Sequence, residues 1–231
     1  MIRISNIHFV LVIVLCGSSC NSDNVNTSKQ ADSGMSIKNN NTRIITTDHE
    51  IPNLTNWPAA SQMAVKEITD LYGKPDGAMA DELIWINKGP WKKICITKME
   101  SKHSFPIEHT DMMTTTIGYD VPEEKMDDLG MFDGSVTFDR TQGTMSARCD
   151  KEGNNFLALN LANDIITNKK TVAAARKSYG DIVKEKMNGG NPEYMLKLTF
   201  SPASSSGDPD TNTTGLTKEQ VTEGVEKNKK Q

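Results

Sequence analysis

The chain has 231 residues, with 26 Lys and Arg against 30 Asp and Glu and a net charge of −4. Its length suits one ordinary domain with tails, and no basic stripe marks it for nucleic acid. It has no run of about 20 apolar residues for a multi-span membrane protein, and four Cys are too few for a disulfide-dense miniprotein.

The first 20 residues read MIRISNIHFVLVIVLCGSSC. Arg3 gives a positive start, residues 9–15 a compact apolar stretch, and Gly17, Ser18 and Ser19 the small side chains a signal peptidase needs. The apolar stretch is too short to span about 30 Å of hydrocarbon. With Cys20 directly after the small residues, the segment resembles the lipobox of bacterial lipoproteins, although Leu15 lies further upstream than the strict pattern and Gly17 takes the −3 place. The resemblance implies a signal peptide over 1–19, cleavage before Cys20 and acylation of its thiol with palmitate-type chains. Such chains contribute about 0.8 kcal/mol per buried CH₂. The expected location is the bacterial cell envelope, lipid-anchored and facing periplasm or cell surface. The membrane is then a partner through the lipid on Cys20.

Removing residues 1–19, Arg3 among them, leaves 212 residues with a net charge of −5. Cys16 leaves with the signal and Cys20 is capped. Cys95 and Cys149 then remain in an oxidising compartment, either as a disulfide or as two buried thiols. Residues 20–54 are rich in Asn, Ser, Thr and Lys and read as a disordered tether. Residues 201–231 read as a disordered polar tail, with a short polar helix over 216–228. Residues 55–200 form the domain.

Within the domain, 58–72 reads as a helix, with Val65, Ile68 and Tyr72 on one face and Gly73 and Pro75 as stops. Residues 83–85 and 91–96 flank Asn87-Lys88-Gly89-Pro90 as a hairpin. Met113, Thr115, Ile117 and Tyr119 alternate as a third strand. Pro122, Glu123 and Glu124 open a helix. Val136 and Phe138 follow the Asp133-Gly134 turn as a fourth strand. Asp150 is placed to cap a helix bearing Leu157, Leu161 and Ile165, and Thr171 to cap another bearing Val172, Tyr179, Ile182 and Val183. Tyr194, Leu196, Leu198 and Phe200 alternate as a fifth strand. Strands and helices are segregated, so the expected class is α+β: one domain, an antiparallel sheet of about five strands and about four helices.

Candidate chemistry centres on His103, Glu108, His109 and Asp111. His109 and Asp111 share a side if their segment is extended, and His103 joins them if Phe105-Pro106 folds back. Two imidazoles and a carboxylate suit a divalent metal such as zinc; the plainer reading is a polar loop in which Asp111 orients His109. Cys149, ahead of a helix, is a candidate nucleophile with a lowered pKa if His109 lies near. Residues 208–219 carry Asp208, Asp210, Asn212 and Glu219 at EF-hand spacing. Thr213 stands where that loop needs Gly, so the stretch reads as tail. Sequons at Asn26, Asn40, Asn53 and Asn212 reflect Asn/Thr-rich composition. No GxSxG, HExxH, P-loop or GxGxxG motif is present.

Gly89-Pro90-Trp91-Lys92, Phe105-Pro106 with His109-Thr110-Asp111, Asp133-Gly134-Ser135-Val136, and Arg148-Cys149-Asp150 with the helix after it resemble exported bacterial proteins of unknown function. The helix, Tyr-Gly-Lys-Pro and hairpin order is similar, over under half the domain, to small lipoproteins of the outer-membrane assembly machinery. Neither resemblance implies an activity. The leading expectation is a non-catalytic envelope lipoprotein that binds a partner protein or envelope ligand and no nucleic acid. The alternatives are a metal-assisted hydrolase, with His103, His109 and Asp111 on the ion and Glu108 as base, and a small-ligand binder lined by Trp85, Trp91 and Tyr119.

Overall fold

The computed structural model describes residues 50–203 and 208–229. The signal peptide, Cys16, Cys20 and nearly all of the tether lie outside the described residues. In chain order the elements are α1 (Ala59–Tyr72), β1 (Gly77–Ala78), β2 (Glu82–Lys88), β3 (Trp91–His103), β4 (His109–Gly118), α2 (Met126–Phe132), β5 (Val136–Asp139), β6 (Thr144–Cys149), α3 (Glu152–Ile166), α4 (Val172–Met187) and α5 (Lys218–Asn228). The described residues form one antiparallel sheet in the order β1-β2-β3-β4-β6-β5. The class is α+β.

Strand alternation decides which face is covered. The register sets Leu83, Ile96, Met113 and Cys149 in one row, and Trp85, Ile94, Thr115, Ala147 and Val136 in the next. Every one of these side chains is buried. Between them runs the row of Ile84, Cys95, Thr114 and Arg148, which turns to the opposite face. Helix α1 packs on β3 and β4, and α3 packs on β4 and β6. Tyr72 at the end of α1 donates to Glu152 Oε1 on α3 at 2.5 Å, and Trp91 Nε1 donates to the same oxygen at 2.6 Å. Both helices therefore seal the same apolar rows. Trp85 and Trp91 are core residues, at 0% and 1% exposed, and not the walls of a ligand pocket.

Turn chemistry follows the residues. Lys88 pairs with Trp91 across Gly89-Pro90, and Gly89 sits at φ 55, as a primed two-residue hairpin needs. A Cβ there would also come within 3.0 Å of the Tyr72 ring. Gly73, at φ 78, stops α1, its N–H bonding Thr69 O. The Thr171 side chain caps α4 by accepting from Ala174 N.

Two local readings need correction. The cap of α3 is Lys151, without a side-chain bond, because Asp150 Oδ1 accepts from Asn154 Nδ2 at 2.7 Å instead. Residues 194–200 do not form a strand. Glu193–Met195 is a 3₁₀ turn, and the segment straps across α3. Asn160 donates to Tyr194 O and Lys197 O at 3.0 and 2.8 Å and accepts from Thr199 N at 2.8 Å. Side-chain amide bonds thus take the place of a strand ladder. The strands that periodicity missed are β1 and β6.

Candidate metal centre

The hairpin of β3 and β4 assembles the site. Register pairs His103 with His109 and Ser101 with Asp111, so the fold-back at Phe105-Pro106, a cis peptide, brings both imidazoles together with ring centroids 5.1 Å apart. The Phe105 ring anchors the loop, lying 5.0 Å from Tyr179 of α4 and 6.2 Å from Phe132 of α2, centroid to centroid. The Arg176 guanidinium stacks 3.9 Å over it.

His103, His109 and Asp111 each present one ligand atom, all within 4.8 Å of one another. His109 Nδ1 lies 2.8 Å from Ile107 O. A carbonyl only accepts, so this nitrogen carries the hydrogen and Nε2 turns inward. Nε2 is 3.0 Å from Asp111 Oδ1 and 3.3 Å from Cys149 Sγ. Asp111 is 1% exposed, and its Oδ1 has no hydrogen-bond partner: the approach of Nε2 is close without hydrogen-bond geometry. Its Oδ2 accepts from the Ser135 hydroxyl. His103 Nδ1 lies 3.3 Å from Asp111 Oδ2 and 3.2 Å from Ser135 Oγ, while its Nε2 faces Asp133 Oδ1 at 3.4 Å. Asp133 Oδ1 is itself fixed by Ser135 N at 2.8 Å.

Charge follows geometry. The Asp111 carboxylate, and after it the Cys149 sulfur, raise the His109 imidazole pKa to about 11. Burial pulls Asp111 upward, but His109 and Ser135 outweigh it and hold the carboxyl below its usual range. Burial raises Asp133 and Cys149. The lowered thiol pKa expected for Cys149 from its place ahead of a helix is therefore overturned, because burial of the residue, 4% exposed, outweighs the pull of His109. As a nucleophile pair the geometry is also wrong. Asp111 and Cys149 address the same imidazole nitrogen, whereas an orienting carboxylate belongs on the other one.

Cys95 and Cys149 are free thiols. Cys95 is paired with Thr114, and Cys149 with Met113, so the two sulfurs leave opposite faces of the sheet and the disulfide alternative is not formed. The Cys95 thiol donates to Glu82 Oε1 at 2.7 Å. Glu108, the candidate base, is exposed on the bend before β4. Sequence reasoning missed Asp133 and Ser135, because Asp133-Gly134 reads first as a turn. A search of protein-family models, of curated proteins and of solved structures found no match to this chain.

Proposed function

We propose that this protein is a lipid-anchored bacterial envelope protein whose domain binds one divalent transition-metal ion, of the zinc class, through His103, His109 and Asp111. The observation that carries the reading is the Asp111 Oδ1 atom, buried, without a hydrogen-bond partner and 3.0 Å from an inward-turned imidazole nitrogen. A buried carboxylate oxygen outside hydrogen-bond geometry is a donor that a metal cation can take, displacing the proton of the charged His109 imidazole that faces it in the ion-free chain. The His109 Nε2–Asp111 Oδ1 separation of 3.0 Å is close to the edge of about 3.3 Å that metal–ligand distances of about 2.05 Å give a tetrahedral ion, and the three donors, within 4.8 Å of one another, would draw in slightly on binding. The outer partners fit as well: metal-binding imidazoles commonly donate their second N–H to a carbonyl or carboxylate, the parts played here by Ile107 O and Asp133.

Binding is favoured over hydrolysis because Glu108, the residue a hydrolase would use as base, is exposed on the bend and not in the buried cluster. Lipid anchoring rests on the Cys20 motif. The test is the metal content of the full-length protein, isolated from membranes without chelators, measured by elemental mass spectrometry beside Asp111→Asn. About one zinc-class ion per chain, lost in the variant, is expected. Metal-free protein that also fails to take up added zinc would overturn the reading.

A further inference from the structure

We infer that Cys149 is the fourth ligand of this centre, making it a His₂-Asp-Cys site that selects thiophilic ions and leaves no coordination place for a catalytic water. The inference rests on the metal reading above and adds to it the identity of the fourth donor and the class of ion.

Four observations carry it. Cys149 Sγ is 3.3 Å from His109 Nε2. An N–S edge of a tetrahedral zinc site is about 3.6 Å, given Zn–N near 2.05 Å and Zn–S near 2.3 Å. The sulfur, which in the ion-free chain also contacts Asp150 Oδ1 at 3.3 Å, and Asp111 Oδ1 at 3.0 Å both lie within reach of the nitrogen an ion would bind. Second, Asp111 Oδ1 is buried without a hydrogen-bond partner, so it keeps a lone pair that an ion on Nε2 could take once the imidazole gives up its proton. Third, Cys149 ends β6 in the row of Leu83, Ile96 and Met113, which aims its side chain at the helix-covered face that also holds Asp111. Fourth, the position is mostly enclosed, with Cys149 4% and Asp111 1% exposed and the two imidazole side chains at 18%. This suits a closed site better than one that admits substrate.

Zinc is borderline-soft and takes thiolate readily, whereas magnesium, calcium and manganese prefer oxygen. On binding, the Cys149 S–H and the His109 Nε2–H give up their protons to solvent, and the ion takes their place between sulfur, nitrogen and Asp111 oxygen. No electron transfer is involved.

Cobalt(II) is the probe. The full-length protein, stripped with chelator and titrated with cobalt, should develop the visible ligand-field bands of a tetrahedral ion together with a near-ultraviolet thiolate-to-cobalt charge-transfer band. The charge-transfer band should persist in Cys95→Ser and vanish in Cys149→Ser. Cobalt affinity in Cys149→Ser should fall by more than the 10- to 100-fold typical of an outer-shell change. Ligand-field bands without charge transfer, or charge transfer that survives Cys149→Ser, would overturn the role of Cys149 and leave the three-ligand reading standing. Absence of both band sets would overturn the two together. The unaltered protein's spectrum decides the first question by itself, so a Cys149→Ser chain that misfolds leaves the test intact.

Discussion

At the scale of single residues, His109 concentrates the behaviour of the site. In the ion-free chain its pKa stands at about 11, above the value near 6.5 of an unfolded imidazole. A group raised on folding stabilises the fold fully below its unfolded pKa, and that contribution is lost as pH rises through the folded value. The Tm advantage of chelator-treated protein over His109→Asn should therefore be greatest near pH 6 and shrink steadily toward about pH 10. An advantage that stays level across this window, measured by thermal unfolding, would show that His109 does not carry the charge assigned to it. Asp111 works in the opposite sense: its depressed pKa gives stability above its ordinary value that is lost in acid.

Among the elements, the strap over α3 is the most exacting. Asn160 is fully buried and bonds three backbone groups of residues 194–199. Asn160→Ala would leave Tyr194 O, Lys197 O and Thr199 N without those bonds. At about 1–3 kcal/mol per unsatisfied buried group, discounted for the strap's partial exposure, a loss of about 3 kcal/mol in urea unfolding is expected. Asn160→Asp, which accepts but cannot donate, should be at least as damaging. Near-neutrality of both variants would show that the strap is not held this way.

This strap also marks where sequence reading fails. Tyr194, Leu196, Leu198 and Phe200 alternate as a strand would, but period two reports only that side chains take turns. What a segment's N–H and C=O groups bond is settled by its neighbours, here one asparagine far upstream. For β6 the alternation is present in the sequence but goes unread. Met145, Ala147 and Cys149 are buried and Thr144, Ser146 and Arg148 are not, yet a cap reading of residues 148–150 obscures that pattern. The site was legible in its parts. His109 and Asp111 share a side by strand geometry alone, while Cys149, Ser135 and Asp133 join them only through the pairing of β4 with β6 and the turn before β5.

For the whole molecule, attachment is separate from folding. The domain's core is built between one face of the sheet and α1 and α3, and no described helix is long and apolar enough to cross a membrane. The proposed attachment falls on Cys20. Cys20→Ser in the full-length protein should move it from the detergent phase to the aqueous phase on phase separation and abolish incorporation of labelled palmitate. A variant that stays with detergent and still takes up label would remove the lipobox assignment.

The Phe105 wedge has a consequence for the domain as a whole. The loop between His103 and His109 is pinned by Tyr179 and Arg176 of α4 and by Phe132 of α2, so an ion that fixes the two imidazoles also fixes the corner where three elements meet. Whatever binds only the closed corner adds RT ln(1 + [L]/Kd) to its stability, about 2.7 kcal/mol at a hundredfold excess over Kd. With the proposed ion, the ease with which α4 lifts from the hairpin would track metal supply. If it is held by the proposed lipid on Cys20, the chain would in that way carry news of the ion in its own mechanics.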